Sequence, residues 1–216
     1  MLRMANPSVE KRGLFIDIEG IDGSGKAEQS KRLSKWLRGL GHQVDVHTYP
    51  DLKSVYGKFL NEFLKGKVSL DVKSQFLTFA ADIMKDQGDI ARKIGAGEIV
   101  ITDRYLTSTV AYQCAKGLSL EGALLQVEML SPLKPDLIIW LDVPPKVGIE
   151  RRRKKKGKRK KDVHDTDEGL LQRVRSNYLR LYSSRWLGRS WARMDGEKPI
   201  LELAKEIKAL ITPLLK

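Results

Sequence analysis

Gly20-Ile21-Asp22-Gly23-Ser24-Gly25-Lys26 stands between a short apolar run, Leu14 to Ile18, and a helix-like segment that begins near Ala27. Glycines in such a turn leave successive backbone N–H groups unshielded beside the positive end of a helix, and Lys26 adds a mobile cation to them. Strand, G-x-x-x-x-G-K turn and helix in that order make a cradle for nucleotide phosphates, formed by Gly20, Asp22, Gly23, Ser24, Gly25 and Lys26. The Ser or Thr that usually follows the lysine is Ala27, so the hydroxyl that would meet Mg²⁺ is missing.

Outward from this turn, short apolar runs alternate with helical ones, the pattern of a parallel sheet covered by helices. Strands are predicted at Leu14 to Glu19, Gln43 to Tyr49, Glu98 to Thr102 and Leu137 to Val143, with a weaker one near Trp191 to Met194. The helix after the turn carries Leu33, Trp36, Leu37 and Leu40 on one face and ends at Gly39 and Gly41. Further helices are predicted around Val55 to Leu64, Leu70 to Lys85, Leu118 to Leu130, Lys146 to Lys154, Gly169 to Trp186 and Leu201 to Leu214. Ligands of such sheets bind at the carboxyl ends of the strands, where Asp51, Asp103, Arg104 and Asp142 fall.

The 216 residues fit one domain, 1–216, and the net charge of +13 is unevenly spread. Residues 151–161, RRRKKKGKRKK, hold ten of the 40 Lys and Arg and no acid, which leaves 30 basic against 27 acidic residues elsewhere. The excess is one local segment, a candidate lid over phosphates at about 151–166 that would attract nucleic acid only non-specifically. A single cysteine, Cys114, excludes an internal disulfide framework and reads as a small packed side chain. No apolar run approaches the ~20 residues of a membrane span, and the opening MLRMANPSVEKR lacks a secretory apolar core, so a cytoplasmic protein without a membrane partner is expected.

A second cluster follows the third strand: Asp103-Arg104-Tyr105, Ser108 and Ala111-Tyr112-Gln113. An acid leaving a strand end beside a phosphate loop can hold Mg²⁺ through water, and the arginine beside it can grip a phosphate bidentately. Taken with IEGIDGSGK, Phe79-Ala80-Ala81-Asp82, and the run from Pro135 to Val143, this set resembles the thymidylate kinase family in order and spacing across nearly the whole chain.

The resemblance implies a P-loop three-layer α/β/α fold with a five-stranded parallel sheet and a small lid. It also implies a homodimer that transfers the γ-phosphoryl group of ATP to dTMP, giving dTDP and ADP, with Mg²⁺. It places Lys26 at the transferring phosphate, Asp22 at the acceptor's sugar and Arg104 at the acceptor's phosphate. Phe79 stacks on thymine, Ser108 and Gln113 line the base, Tyr112 crowds a ribose 2′-hydroxyl, Asp51 belongs to the acceptor site and Asp103 supports the metal. Members carry a catalytic arginine in the loop or in the lid. The loop here has none, so Arg151, Arg152, Arg153 or Arg159 must supply it, with Arg159 carried as the catalytic candidate.

The chain departs from the family's pattern at four places. Ala27 and Glu28 replace two hydroxyl residues, Ile83 stands where an arginine usually meets the thymine edge, and Leu52 stands where many relatives have another arginine. Two alternatives therefore stay beside the first reading: a kinase for another nucleoside monophosphate, and a nucleotide- or nucleic-acid-binding protein without turnover.

Overall fold

Residues 12–156 and 167–215 are described by the structure, a computed structural model. Five parallel strands, β1 (Phe15–Glu19), β2 (Val44–Thr48), β3 (Ile99–Asp103), β4 (Leu137–Asp142) and β5 (Trp191–Asp195), lie in the order β2-β3-β1-β4-β5. All five coincide with predicted strands to within one or two residues. β1 sits at the centre, and its two neighbours lead away in opposite directions along the sheet. The turn after β1 therefore opens at a topological switch point, where such sheets bind ligands.

Helices cover both faces because alternate residues of β1 point to opposite sides. Ile16 and Ile18 join Leu33 and Leu37 of α1 (Lys26–Gly39) and Leu203, Ile207 and Ile211 of the last helix, α9 (Ile200–Ile211). Phe15 faces the other layer, which contains α3 (Val72–Met84), α5 (Leu106–Ala115) and α8 (Glu168–Ser183). Trp140 is buried there, stacked on Tyr178 at 5.9 Å, and Cys114 packs against the same core. Burial pushes the Cys114 thiol up to about 11, which suits packing and not reactivity. No described helix is long and apolar enough to cross a membrane.

The helices α2 (Val55–Leu64), α6 (Leu120–Leu130) and α7 (Pro145–Lys156) fall where the periodicity puts them. Two others, α4 (Gln87–Gly95) and α5, were not legible in the sequence. No side chain of its own caps α5. Its first turn is capped by Glu19 at the end of β1: Oε1 accepts from the amides of Tyr105 (2.9 Å) and Ser108 (3.0 Å). Oε2 accepts from Ser108 Oγ (2.5 Å) and from the Tyr178 hydroxyl (2.8 Å), which ties α8 to the same acid.

Asp17, two residues earlier on the same face, is fully buried as well. Its Oδ1 accepts from Thr102 Oγ1 at 2.8 Å, and its Oδ2 has no partner among the described residues. Burial, reinforced by Glu19, drives the Asp17 carboxyl well above the ordinary range. Glu19 rises less, because Ser108, Arg104 and Tyr178 oppose its burial. Of the two acids, Asp17 is the one whose affinity for its proton is raised further on folding. Its contribution to stability is full below the unfolded carboxyl's pKa of about 4 and is lost as pH rises, since the unfolded chain alone sheds the proton. Asp17→Asn, of the same shape with no proton to lose, is expected to gain stability on the parent as pH rises from 5 to 8. Urea unfolding at both pH values checks this; parallel pH dependence in the two proteins would contradict it.

Candidate active site

The turn after β1 is shaped by close approach. Gly23 has φ 83°, and a Cβ there would lie 2.2 Å from the carbonyl oxygen of Gly148 on α7. Gly25, the N-cap of α1, has φ 99° and open space above it. No side chain caps α1, and the amides of Gly23, Gly25, Lys26 and Ala27 donate to no backbone carbonyl among the described residues. Ser24 Oγ is buried without a partner among the described residues. These are donors arranged for an oxyanion at a helix N-terminus.

Lys26 is buried beneath the turn, its Nζ donating to the carbonyls of Gly20 and Ile21, both at 2.9 Å. Burial, together with Arg104 nearby, lowers its pKa to about 8, against the pull of Asp22 and Asp103. Asp103, at the end of β3, is 6% exposed, and its carboxylate accepts no hydrogen bond among the described residues. An acid so placed fits a hydrated divalent cation. Ala27 is exposed and brings no ligand. Glu28 turns away from the loop and pairs with Arg32 at 2.6 Å along α1, so it does not oppose a phosphate.

Arg104 joins β3 to α5 in the left-handed region, φ 74°, a conformation uncommon outside glycine, with its amide held by Ile18 O at 3.1 Å. Its guanidinium reaches Asp22 Oδ1 (2.5 Å) and Ser108 Oγ (3.0 Å) and lies over the Tyr112 ring, 5.0 Å from the centroid. Arg152 meets the other oxygen of Asp22 at 3.2 Å. It stands one helical turn after Gly148, so the glycine-to-glycine contact that seats α7 on the loop also aims this arginine. Although burial disfavours its charge, Asp22 is held well below the usual carboxylate range by Arg104, Lys26 and Arg152. Burial, with Asp22 adding to it, pushes Tyr112 up to about 12, so its hydroxyl keeps its proton while accepting from the Asp22 amide at 3.2 Å.

A cavity of about 300 Å³ opens beside this cluster. Asp22, Phe79, Arg104, Ser108, Tyr112 and Gln113 all line it. Ser108 enters it with its hydroxyl already engaged by Arg104, Glu19 and Tyr178. Asp51 is not part of the wall. Its carboxylate accepts from the Lys53 amide (3.0 Å) and lies 3.4 Å from Lys85, while Asp82 holds its amide at 2.8 Å. Asp142 is neutralised by Arg175 and Arg193, each at 2.6 Å. Arg159, with residues 157–166 of the expected lid, lies outside the described residues. Sequence reasoning left Thr109, Lys116 and Leu170 out of the lining, and could not separate Arg152 from its neighbours. The signal for Thr109 and Lys116 is their i, i+4, i+7 spacing with Gln113, visible once α5 is known to be a helix.

Loop, switch-point sheet and cation cluster define a P-loop nucleotide-kinase fold. The sequence matches the family described as "Thymidylate kinase" over residues 18–207. A "Probable thymidylate kinase" of Pyrococcus abyssi is 40% identical over 178 residues, covering 79% of this chain and 83% of that protein. A "Thymidylate kinase" of Maridesulfovibrio salexigens is 31% identical, covering 94% and 97%. One from Arabidopsis thaliana is 35% identical over 67% of this chain, which spans 54% of that longer protein. The chain belongs to the thymidylate kinase family.

A lysine with a pKa near 8 makes triphosphate binding proton-linked, because bound phosphates favour its charged form. Affinity for ATP is expected to fall by up to about tenfold per pH unit above 8. Calorimetry at pH 8 in buffers of different ionisation enthalpy should register proton uptake on binding; heats independent of the buffer would contradict the assignment.

Proposed function

We propose that the chain transfers the γ-phosphoryl group of ATP to dTMP, releasing dTDP and ADP. The observation that carries this reading is the convergence of Arg104 and Arg152 on Asp22 at the lip of the phosphate loop, beside a cavity lined by Phe79 and Gln113. Two guanidinium groups and an ammonium gathered around one carboxylate form a ready anion site, with Asp22 holding the place that substrate phosphates take.

In this mechanism the amides of residues 23–27 and Lys26 cradle the donor's β- and γ-phosphates. Arg104 exchanges Asp22 for the acceptor phosphate, which frees Asp22 for the acceptor's sugar hydroxyl. Arg152, at the root of the lid, faces the charge that spreads over the equatorial oxygens as the bond to the leaving ADP breaks. The attacking oxygen is already anionic at neutral pH, so no general base is needed. Tyr112, pinned to the loop by its hydroxyl, stands as the wall against a 2′-substituent. Bound Mg²⁺ would neutralise charge on the donor phosphates, and Asp103 would hold it through water while Ala27 contributes nothing.

A coupled assay of ADP release over the nucleoside monophosphates, with Mg²⁺ varied, tests the reading. The expected result is dTMP-dependent ADP formation; none at saturating metal would remove it. Arg152→Ala is expected to lower kcat by about 10²- to 10³-fold. An unchanged kcat would move the role to another cation.

A further inference from the structure

A groove of about 490 Å³ runs between α1 and α9, in the helical layer on the other side of the sheet from the cavity beside the phosphate loop. Each helix gives it one stripe. Arg32, Lys35, Trp36 and Gly39 recur at i, i+3, i+4 and i+7 on α1, and Leu201, Lys205 and Lys208 recur at i, i+4 and i+7 on α9. Between the cations the lining is apolar. Trp36 packs on the core beneath, while Leu40 and Leu201 are 54% and 70% exposed.

The charge of this groove is one-sided: Arg32, Lys35, Lys205 and Lys208 line it and no acid does. Arg32 is answered by Glu28 along α1, but Lys35 and Lys205 are exposed and have no ion pair among the described residues. Lys208 lies over the Trp36 ring, 5.6 Å from the centroid, and has no acidic partner among them either. The acids of α9, Glu202 and Glu206, are both held by Lys198. Gly39 keeps the groove open. Its backbone is outside the left-handed region, and a Cβ there would meet nothing beyond its own helix backbone within 4 Å, so neither conformation nor packing calls for a glycine. A residue that weakens a helix stands where its missing side chain leaves room.

We propose that the α1–α9 groove is a docking site for an acidic amphipathic helix of a partner protein. Its apolar face lies over Trp36, Leu40 and Leu201, and its carboxylates meet Lys35, Lys205 and Lys208. Recognition of a helix in a groove uses this combination, an apolar strip that gives affinity and charges at the rim that select the partner and fix its register. Nucleic acid would satisfy the cations alone, because a phosphodiester backbone brings nothing apolar to cover two exposed leucines. A lipid surface takes apolar side chains that project into it, whereas this space is recessed between two helices. An acidic helix satisfies the cations and the apolar strip together.

A fluorescein-labelled peptide of two heptads of the sequence ELEELLE, titrated into the full chain and followed by anisotropy, tests this. A scrambled peptide of the same composition controls for simple attraction to the basic residues of the lid. The amphipathic peptide is expected to bind saturably and at least about tenfold more tightly than the scramble at about 50 mM salt, with the amides of residues 32–40 and 201–208 gaining protection from exchange. Gly39→Leu, which fills the groove, and the pair Lys35→Glu with Lys205→Glu, which reverses its charge, are each expected to weaken binding by about tenfold or more. The leucine variant installs a better helix former, so the test does not hang on a destabilised protein. Equal affinity for the scramble, or parental affinity in either variant, overturns the proposal. Protection of the same amides by oligodeoxythymidylate or by phosphatidylglycerol vesicles, but not by the peptide, overturns it in favour of that partner. None of these readouts needs turnover, so the outcome is separate from that of the kinase reading.

Discussion

Four hydrogen bonds converge on the carboxylate of Glu19, and the geometry of the site depends on them. The acid ends the central strand and immediately precedes Gly20, the first residue of the phosphate loop. Two of its donors are amides at the start of α5, a helix that begins inside the protein and would otherwise leave bare N–H groups away from water. The other two are hydroxyls, from Ser108 and from Tyr178 on α8. One buried side chain thus joins the glycine loop to the segment that carries Arg104, Tyr112 and Gln113. The left-handed backbone of Arg104 is the local consequence, since the chain must leave β3 and enter α5 with that arginine turned toward Asp22.

Around this joint the electrostatics are arranged for an anion. Lys26, Arg104 and Arg152 surround Asp22, whose single charge does not balance three cations. The chain lowers the cost in two ways: Lys26 gives up part of its proton affinity, and Asp22 stays fully ionised. Fixed cations of this kind lose no reorganisation energy at the moment of reaction, which is why electrostatic preorganisation carries so much of phosphoryl-transfer catalysis. The Gly23–Gly148 approach links the same cluster to α7. A side chain at either position would push α7 off the loop and draw Arg152 away from Asp22.

Much of this was legible in the sequence, and what was not has a common cause. The loop, the five strands and the face of α1 follow from local pattern, because apolar periodicity and glycine placement are properties of neighbouring residues. α5 was missed because its sequence, LTSTVAYQCA, is rich in β-branched residues and carries no cap of its own; its cap lies 86 residues away. α4 is only nine residues long, with Ile90 and Ile94 as its buried anchors, too short for a clear period. Glu28 reads as a threat to bound phosphate until its partner Arg32 is placed one turn along. Arg152 is one of several arginines in a basic run, and only the packing of Gly148 on the loop separates it from the others. Long-range hydrogen bonds and close backbone contacts, not composition, decide which members of a motif can act together.

The most direct test of Glu19 as the joint between the loop and the cavity wall is amide hydrogen exchange in Glu19→Ala. If the account is right, amides of residues 105–111 lose protection by about 100-fold or more, while those of α1 and β4 change far less. Uniform loss across the fold, or unchanged protection in α5, would contradict it.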